Sequence, residues 1–376
     1  MIENLICTVG TSLWSNLERI EEKNEQLRSL KKAFDSKNWP LLANELARLD
    51  PKERICGAEI NTVYESLSKK WLDLRNLFLL VSDTEAGRET GEVLKHYFKQ
   101  RKDLGLQNIE VKVVEKLQDE RPIDFKVYGL RNLVREIGEI LQRVGGSWGS
   151  AKNVAIDATG GYKAQIAVAV LIGQALDLPV YYKHERFSEI IDFPPLPITL
   201  DYDILGRNAE ILADFEKGEV FSAKELDSLD PKLRVFLTEV EVDDQVIYEL
   251  NAIGQVYLTS YRLRFPYIPS LGDLPDADRK APTFGNDHHY PKGFKEFVHK
   301  VWEENKWIKS IFTLPYAGQA AIKGTGFRVE DVGEEVRLVG TFKSKDFGAR
   351  FQVILADDSM EALNWAALRL NEKYRD

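Results

Sequence analysis

Apolar positions in the first two hundred residues fall into two patterns that take turns along the chain. Short apolar runs recur at 5–9 (LICTV), 77–81 (LFLLV), 153–158 (NVAIDA) and 180–183 (VYYK), and 109–114 alternates apolar with polar residues. Runs of this length, bounded by polar or glycine-rich breaks, read as strands. Between them, 89–102, 124–143 and 163–176 carry apolar residues three and four apart, the spacing of one helix face. A long charged helical region separates the first two strands. Strand–helix alternation predicts a parallel, doubly wound α/β sheet over residues 1–200, and Pro194, Pro195 and Pro197 mark its end.

The pattern then changes. Residues 205–215 read as a helix, Ser222 with Glu225 forms a capping box for a second, and Asp230 followed by Pro231 opens a third that runs to 240. Two alternating runs, 245–250 and 255–263, predict a hairpin joined through 251–254. Three short helices and a hairpin over 201–264 resemble a winged helix-turn-helix. Prolines 266, 269, 275, 282 and 291 make 265–292 a linker. Beyond it, Phe294, Phe297, Val298, Val301, Trp302, Ile308 and Phe312 give an apolar helical stripe, with a break near Asn305. Residues 327–329, 336–342 and 349–356 read as strands, and Asp358-Ser359 caps a last helix to about Tyr374. This is a small α+β unit of helices, three strands and a helix over 293–376.

Charge and composition narrow the function classes. No apolar run approaches the ~18–20 residues that span a bilayer, and no basic segment precedes the first apolar run, so no membrane partner and a cytoplasmic location are expected. Cys7 and Cys56 make neither a disulfide framework nor a metal quartet and are expected to pack as apolar side chains. The net charge of −9 gives no global attraction to nucleic acid. Residues 201–264 hold 14 acidic and 7 basic residues, a net of −7, whereas 285–376 hold 14 of each. A DNA-reading module needs a basic face, so the acidic segment is expected to be a structural or dimerising spacer, and any contact with RNA belongs to the C-terminal part.

Chemistry concentrates at two strand ends. Gly10, Thr11 and Ser12 follow the first strand; Thr159, Gly160 and Gly161 follow the strand at 153–158. In an open parallel sheet, ligands bind outside the carboxyl ends of the strands near the point where strand order reverses. Both turns offer hydroxyls and free backbone N–H groups at a helix N-terminus, which suits an anion. Lys163 adds charge one turn in, and Asp157 is placed to accept from a ribose hydroxyl. No GxxxxGK[ST] loop is present, and no GxGxxG follows the first strand, which argues against a P-loop ATPase and a dinucleotide cofactor. Glu59 and Asn61 are expected to fix a loop near the pocket, and Asp83 and Thr84 to cap a helix.

Four motifs in order, CTVGTSL at 7–13, GAEIN at 57–61, SDT at 82–84 and DATGGYK at 157–163, resemble the CRISPR-associated Rossmann fold, or CARF, family. The resemblance implies a Rossmann-like homodimer that binds a cyclic oligoadenylate across its two-fold axis. Its ligand contacts would be Gly10, Thr11, Ser12, Thr159, Gly160, Gly161 and Lys163. Cyclic tetra-adenylate suits a two-fold site; cyclic hexa-adenylate is the alternative. The ligand would be an allosteric activator, with no other cofactor.

A sensor needs an output, and three classes compete for it. One is a transcription regulator acting through the winged helix, which the acidity of that module opposes. A second is a metal-dependent nuclease: Asp331, Glu334 and Glu335 precede a strand, and His288, His289 and His299 are potential ligands, but no Asp/Glu-x-Lys or other persuasive ligand spacing follows. The Arg-x4–6-His of HEPN ribonucleases is absent. The third is a metal-independent ribonuclease. Lys343, Lys345 and Arg350 cluster around a tight hairpin, with Arg328 and Arg337 on neighbouring strands, and such cations stabilise the charge that builds on a phosphate under attack by the 2′-hydroxyl.

The order helices, three strands, helix, with bases on the middle strands, resembles the RelE family of toxins over about 85 residues. That resemblance implies Lys343, Lys345 and Arg350 as catalytic residues, Arg328 or Arg337 as a further phosphate contact, and Tyr374, His288 or His289 as the acid or base. It implies a ribosome-dependent mRNA endoribonuclease with the ribosome and mRNA as partners. The chain departs from the family in lacking an obvious first strand and in ending on a long helix.

Overall fold

The computed structural model describes residues 2–375 apart from 146–152, 185–188, 227–229, 244, 286–288, 316–323, 333–334 and 345–346. They form two compact units, Met1–Leu200 with Asn251–Arg264, and Asp201–Leu250 with Phe265–Asp376.

The first unit is built on a six-stranded sheet of β1 (Ile2–Thr8), β2 (Leu72–Ser82), β3 (Asn108–Val114), β4 (Val154–Asp157), β5 (Val180–Tyr182) and β6 (Ile191–Phe193), in the order β3-β2-β1-β4-β5-β6. All neighbours are parallel except β5 and β6. This is the Rossmann-like sheet that the alternating pattern predicts. Burial of both faces explains the unbroken apolar runs. Leu5, Cys7, Leu77, Leu79 and Val81 enter one core, while Ile6, Phe78, Leu80 and Ile156 enter the other. Helices α1 (Ser12–Glu18), α2 (Glu25–Asp35), α3 (Trp39–Leu46) and α4 (Ala58–Ser68) follow β1, and α5 (Glu85–Gln100) follows β2. α6 (Leu130–Gly145) and α7 (Lys163–Ala175) bury Leu133, Ile137, Val168 and Ile172 in the second core. Thr84 caps α5 as expected, its side chain accepting from the Gly87 N–H at 3.0 Å. Asp83 instead pairs with Arg88 and accepts from the Lys116 N–H. Both cysteines are buried.

The expected strand at 255–263 is a helix, Ala252–Arg264, and it completes the first unit. Asn251 accepts from the Gly254 N–H at 3.0 Å, an N-terminal cap that the alternation of aromatic and β-branched residues conceals. Ala252 and Val256, four apart, enter the second core, and Gln255 accepts from Arg135 of α6 at 3.0 Å.

The second unit holds α8 (Asp203–Arg207), α9 (Ala209–Glu216), β7 (Phe221–Ser222), α10 (Ala223–Leu226), β8 (Leu237–Val242) and β9 (Gln245–Leu250). The helix expected to start at Asp230 is one tight turn, Pro231–Phe236, which gives way to β8 because Leu237, Thr238 and Val240 bury themselves against β9. The hairpin is therefore β8–β9 rather than 245–250 with 255–263. α11, the Ala252–Arg264 helix, lies in the first unit. Residues 265–285 are not a free tether: Arg279 is buried and donates to the Ile308 carbonyl at 3.0 Å, and Thr283 bridges to Phe312.

α12 (Phe294–Glu304) ends at Asn305, and the apolar stripe beyond it is a strand, β10 (Ile308–Thr313). Asn305 is extended and donates to the Val301 carbonyl and the Tyr374 hydroxyl, which stops the helix. The C-terminal sheet thus has four antiparallel strands, not three, in the order β10-β13-β12-β11, where β11 is Gly326–Val332, β12 Glu335–Lys343 and β13 Gly348–Leu355. α13 (Met360–Tyr374), capped by Ser359 as expected, covers the edge of β11. There Asn371 accepts from the Phe327 N–H at 2.9 Å and donates to its carbonyl at 2.6 Å. Among the described residues no helix is long and apolar enough to cross a membrane.

Candidate functional site

In the first unit the strand order reverses between β1 and β4, so the two glycine turns lie side by side at the carboxyl edge of the sheet. They interlock. The Thr8 hydroxyl donates to the Gly160 carbonyl at 2.6 Å, and Glu59 Oε1, from the first turn of α4, accepts from the Gly10 N–H at 2.8 Å. A Cβ at Gly10 would stand 2.5 Å from Gly161 N, and one at Gly160 would stand 2.2 Å from Glu59 Oε1, so neither turn admits a side chain. Gly161 has φ of 97°, which again requires glycine.

A cleft of about 490 Å³ opens over these turns. Gly10, Thr11, Ser12, Thr159, Gly160, Gly161 and Lys163 all line it, so the structure brings together seven of the eight residues expected from sequence. Thr159 is held from two sides, accepting from the Thr62 hydroxyl at 3.1 Å and from the Lys183 N–H at 3.0 Å. Asn61 fixes the adjoining loop as expected, donating to the carbonyls of Pro51 and Glu53.

Asp157 is the exception. It is fully buried beneath the turn and accepts from the Thr159 N–H at 3.0 Å, so it shapes the turn and cannot reach a ribose hydroxyl. Burial, with Glu59 nearby, pushes its carboxyl up to about 7. Burial also raises Glu59, and raises the Cys7 thiol together with the charges of Asp157 and Glu59. Glu59 Oε2 and Asp157 Oδ2 have no hydrogen-bond partner. The turn rests on a buried acid cluster that favours protons over negative charge.

Sequence reasoning missed several lining residues: Asn16, Arg19, Arg54, Lys183 and His184. Ser12 and Asn16 on α1 and Arg19 at its C-terminal cap are spaced four and three residues apart, along one helix face, and that spacing was a readable signal. Lys183 follows β5, the neighbour of β4, and pairs with Glu65 of α4. Arg19, Arg54, Lys163 and Lys183 thus put four cationic side chains around the two turns, a charge arrangement that suits an anion.

In the second unit the cross-strand register puts Arg328 opposite Val339, Glu330 opposite Arg337, Thr341 opposite Arg350, and Lys343 opposite Gly348. Directly opposed residues share a face, so Arg328, Arg337, Lys343 and Arg350 project from one side of the sheet. Phe327, Leu338, Phe351 and Val353 project from the other, where Phe297 and Tyr374 pack. The arginines are matched by acids: Arg328 pairs with Glu210 and Glu330, Arg350 with Glu330, and Arg337 with Glu335 at 2.6 Å. Lys343 is exposed and lines a cavity of about 740 Å³ with Arg328, Glu210 and Arg375. Lys345 and His288 lie outside the described residues.

Of the residues expected as acid or base, Tyr374 does not join this face. Tyr374 donates to Glu304 at 2.7 Å and accepts from Asn305, within the packing on the helical side. His299 lies against Phe284. Among the described residues no group of three His, Cys, Asp or Glu side chains is placed to hold a metal ion.

Comparison with known proteins gives two findings. Residues 54–196 match the family model described as CRISPR-associated protein (Cas_APE2256), a segment that runs from the loop before α4 past β6 and contains the second glycine turn. A solved structure, Can2 from Sulfobacillus thermosulfidooxidans in complex with cyclic tetra-adenylate, is 9% identical, over 94% of this chain and 74% of that one, with a TM-score of 0.25. At that score the likeness carries no argument about fold or ligand. The firm similarity is therefore that of the first unit's segment to a CRISPR-associated family.

Proposed function

We propose that the first unit is a CARF-type sensor that binds a cyclic oligoadenylate, cyclic tetra-adenylate foremost, as a homodimer, and that the ligand activates a ribonuclease in the second unit. The observation that carries the reading is the cleft at the strand-order reversal, where two interlocked turns, closed to any side chain at Gly10 and Gly160, meet Thr11, Ser12 and Thr159 among Arg19, Arg54, Lys163 and Lys183. Such a site suits a ligand made of repeated phosphodiesters. The match of 54–196 to a CRISPR-associated family supports the same ligand class.

In the second unit, the shared face of Lys343, Arg328, Arg337 and Arg350 supports RelE-type, metal-independent cleavage of mRNA at the ribosome. The 2′-hydroxyl would attack the adjacent phosphorus while passing its proton to water, the guanidinium groups would offset the charge that builds on the phosphorane, and the ammonium of Lys343 would protonate the departing 5′-oxygen as its bond to phosphorus breaks. Arg328 and Arg350 serve only once they are released from their carboxylates. Ligand controls the output by binding the active arrangement more tightly than the inactive one.

The test is a translation reaction with defined mRNA, with and without cyclic tetra-adenylate, alongside free RNA in EDTA. Cuts at the ribosomal A site that need both ribosome and ligand, and that disappear in Lys343→Ala while ligand binding persists, are the expected result. Metal-dependent cutting of free RNA or DNA would replace this output with a nuclease of the second class. No cleavage with ligand bound would return the output to the 201–264 module.

A further inference from the structure

One of the two acidic partners of Arg328 comes from outside the C-terminal sheet. Glu210 belongs to α9, and both its oxygens accept from Arg328 Nη1, at 3.1 and 3.2 Å. The Thr341 hydroxyl lies 3.3 Å from Glu210 Oε1 while it donates to the Gly324 carbonyl at 2.8 Å. A carboxylate held by one guanidinium nitrogen next to a hydroxyl sits where an oxygen of a phosphodiester could take the same donors. The pair is sheltered, with side-chain exposures of 22% for Arg328 and 17% for Glu210, so salt screens it less than a surface pair.

A further observation points to a ligand at this place. The cavity of about 740 Å³ opens directly beside Glu210, lined by Arg328, Thr325, Lys343 and Ser344. The other acids on this face, Glu330 and Glu335, are part of the strands and stay with the sheet whatever α9 does. Glu210 is the one carried on a separate helix, which also supplies Asp214 to Arg375 through bonds of 2.5 and 2.6 Å.

We infer that the Arg328–Lys343 cavity is a binding site for an RNA phosphodiester and that Glu210 holds it closed by occupying the phosphate position. Naming RNA as the polymer rests on the ribonuclease reading; the anion site itself does not. Withdrawal of α9 would release Arg328 from Glu210, leaving its pair with Glu330, and remove a negative charge from the cavity, so the closed form binds RNA weakly and the open form binds it through its cations.

The test compares the full chain with its Glu210→Gln and Glu210→Ala variants. A labelled short single-stranded RNA is titrated by fluorescence anisotropy, inorganic phosphate by calorimetry, and cleavage is followed separately. Glu210→Gln keeps the size and the contact with Thr341, so it reports on charge even if Glu210→Ala unfolds. Both RNA and phosphate are expected to bind about tenfold more tightly to Glu210→Gln, with steeper weakening by salt for RNA. Adding Arg328→Ala should abolish that gain. Unchanged affinity for both probes overturns the inference, and does so even if the unaltered chain cleaves RNA. Tighter phosphate binding with RNA unchanged overturns the polymer assignment and leaves a site for a free phosphate. Tighter RNA binding with no cleavage in any variant supports the site and removes the ribonuclease reading instead. Loss of cleavage in Glu210→Gln without tighter binding also overturns the inference, because it would make Glu210 a catalytic base.

Discussion

At the residue scale, the behaviour of the first site turns on two side chains that lie within a few residues of each other in sequence and do opposite things. Lys163 stands exposed in the cleft, whereas Asp157 is sealed beneath it. Lys163→Ala is expected to weaken cyclic tetra-adenylate binding about tenfold or more by removing a charge-assisted contact, and to leave basal RNA cleavage unchanged. An unchanged dissociation constant would take Lys163 out of the site. Asp157 gives a pH signature. Its folded carboxyl titrates near 7 because it is buried, against about 3.9 in an unfolded chain. The folded state therefore holds the proton more tightly. The cost of ionising Asp157 is absent below about pH 4, grows as pH rises towards 7, and is constant above it. Asp157→Asn keeps the acceptor for Thr159 N–H and stays neutral, so its melting temperature relative to the unaltered chain should climb between pH 5 and pH 8. A difference that does not vary with pH would mean that the carboxyl is ionised in the fold throughout. Sequence marked Asp157 as part of the site but gave it the wrong task, because burial is not visible in a motif.

At the element scale, the strands of the first sheet were legible because each is buried on both faces and flanked by helical spacing. The same rule failed where an element is short or amphipathic. The Ala252–Arg264 helix looked like a strand, since Val256, Leu258 and Ser260 alternate with bulkier residues and the Asn251 cap carries little weight in a pattern. β10 reads as part of the preceding helix because Ile308 and Phe312 continue the apolar spacing of α12, and the bonds made by Asn305 end it. Recovering β10 supplies a fourth strand to the C-terminal sheet. The edge of that sheet depends on one side chain. Asn371 is buried and satisfies both the N–H and the carbonyl of Phe327. Asn371→Ala leaves both groups unpaired, at a cost of about 2–4 kcal/mol, which a urea unfolding midpoint will report. A loss below about 1 kcal/mol would mean that water or a rearranged α13 replaces the amide.

At the scale of the whole molecule, the chain joins a parallel α/β unit with a phosphate-suited cleft to an antiparallel unit with a cationic face, and segments far apart in sequence complete each one. Residues 251–264 return to the first unit, and 201–216 pack with the C-terminal sheet. Sequence placed most of the ligand cleft, because the glycine turns are local features of strand ends. It placed the cations of the second face but not the acids that hold them, since Glu210 lies more than a hundred residues before Arg328 and nothing local links them. The central claim is that the cleft binds a cyclic oligoadenylate. Its most direct test is a calorimetric titration of the protein with cyclic tetra-adenylate, alongside cyclic hexa-adenylate and a linear oligoadenylate. Saturable binding of one cyclic tetra-adenylate per two chains, lost in Lys163→Ala, is the expected result; no binding of either ring would contradict the sensor reading.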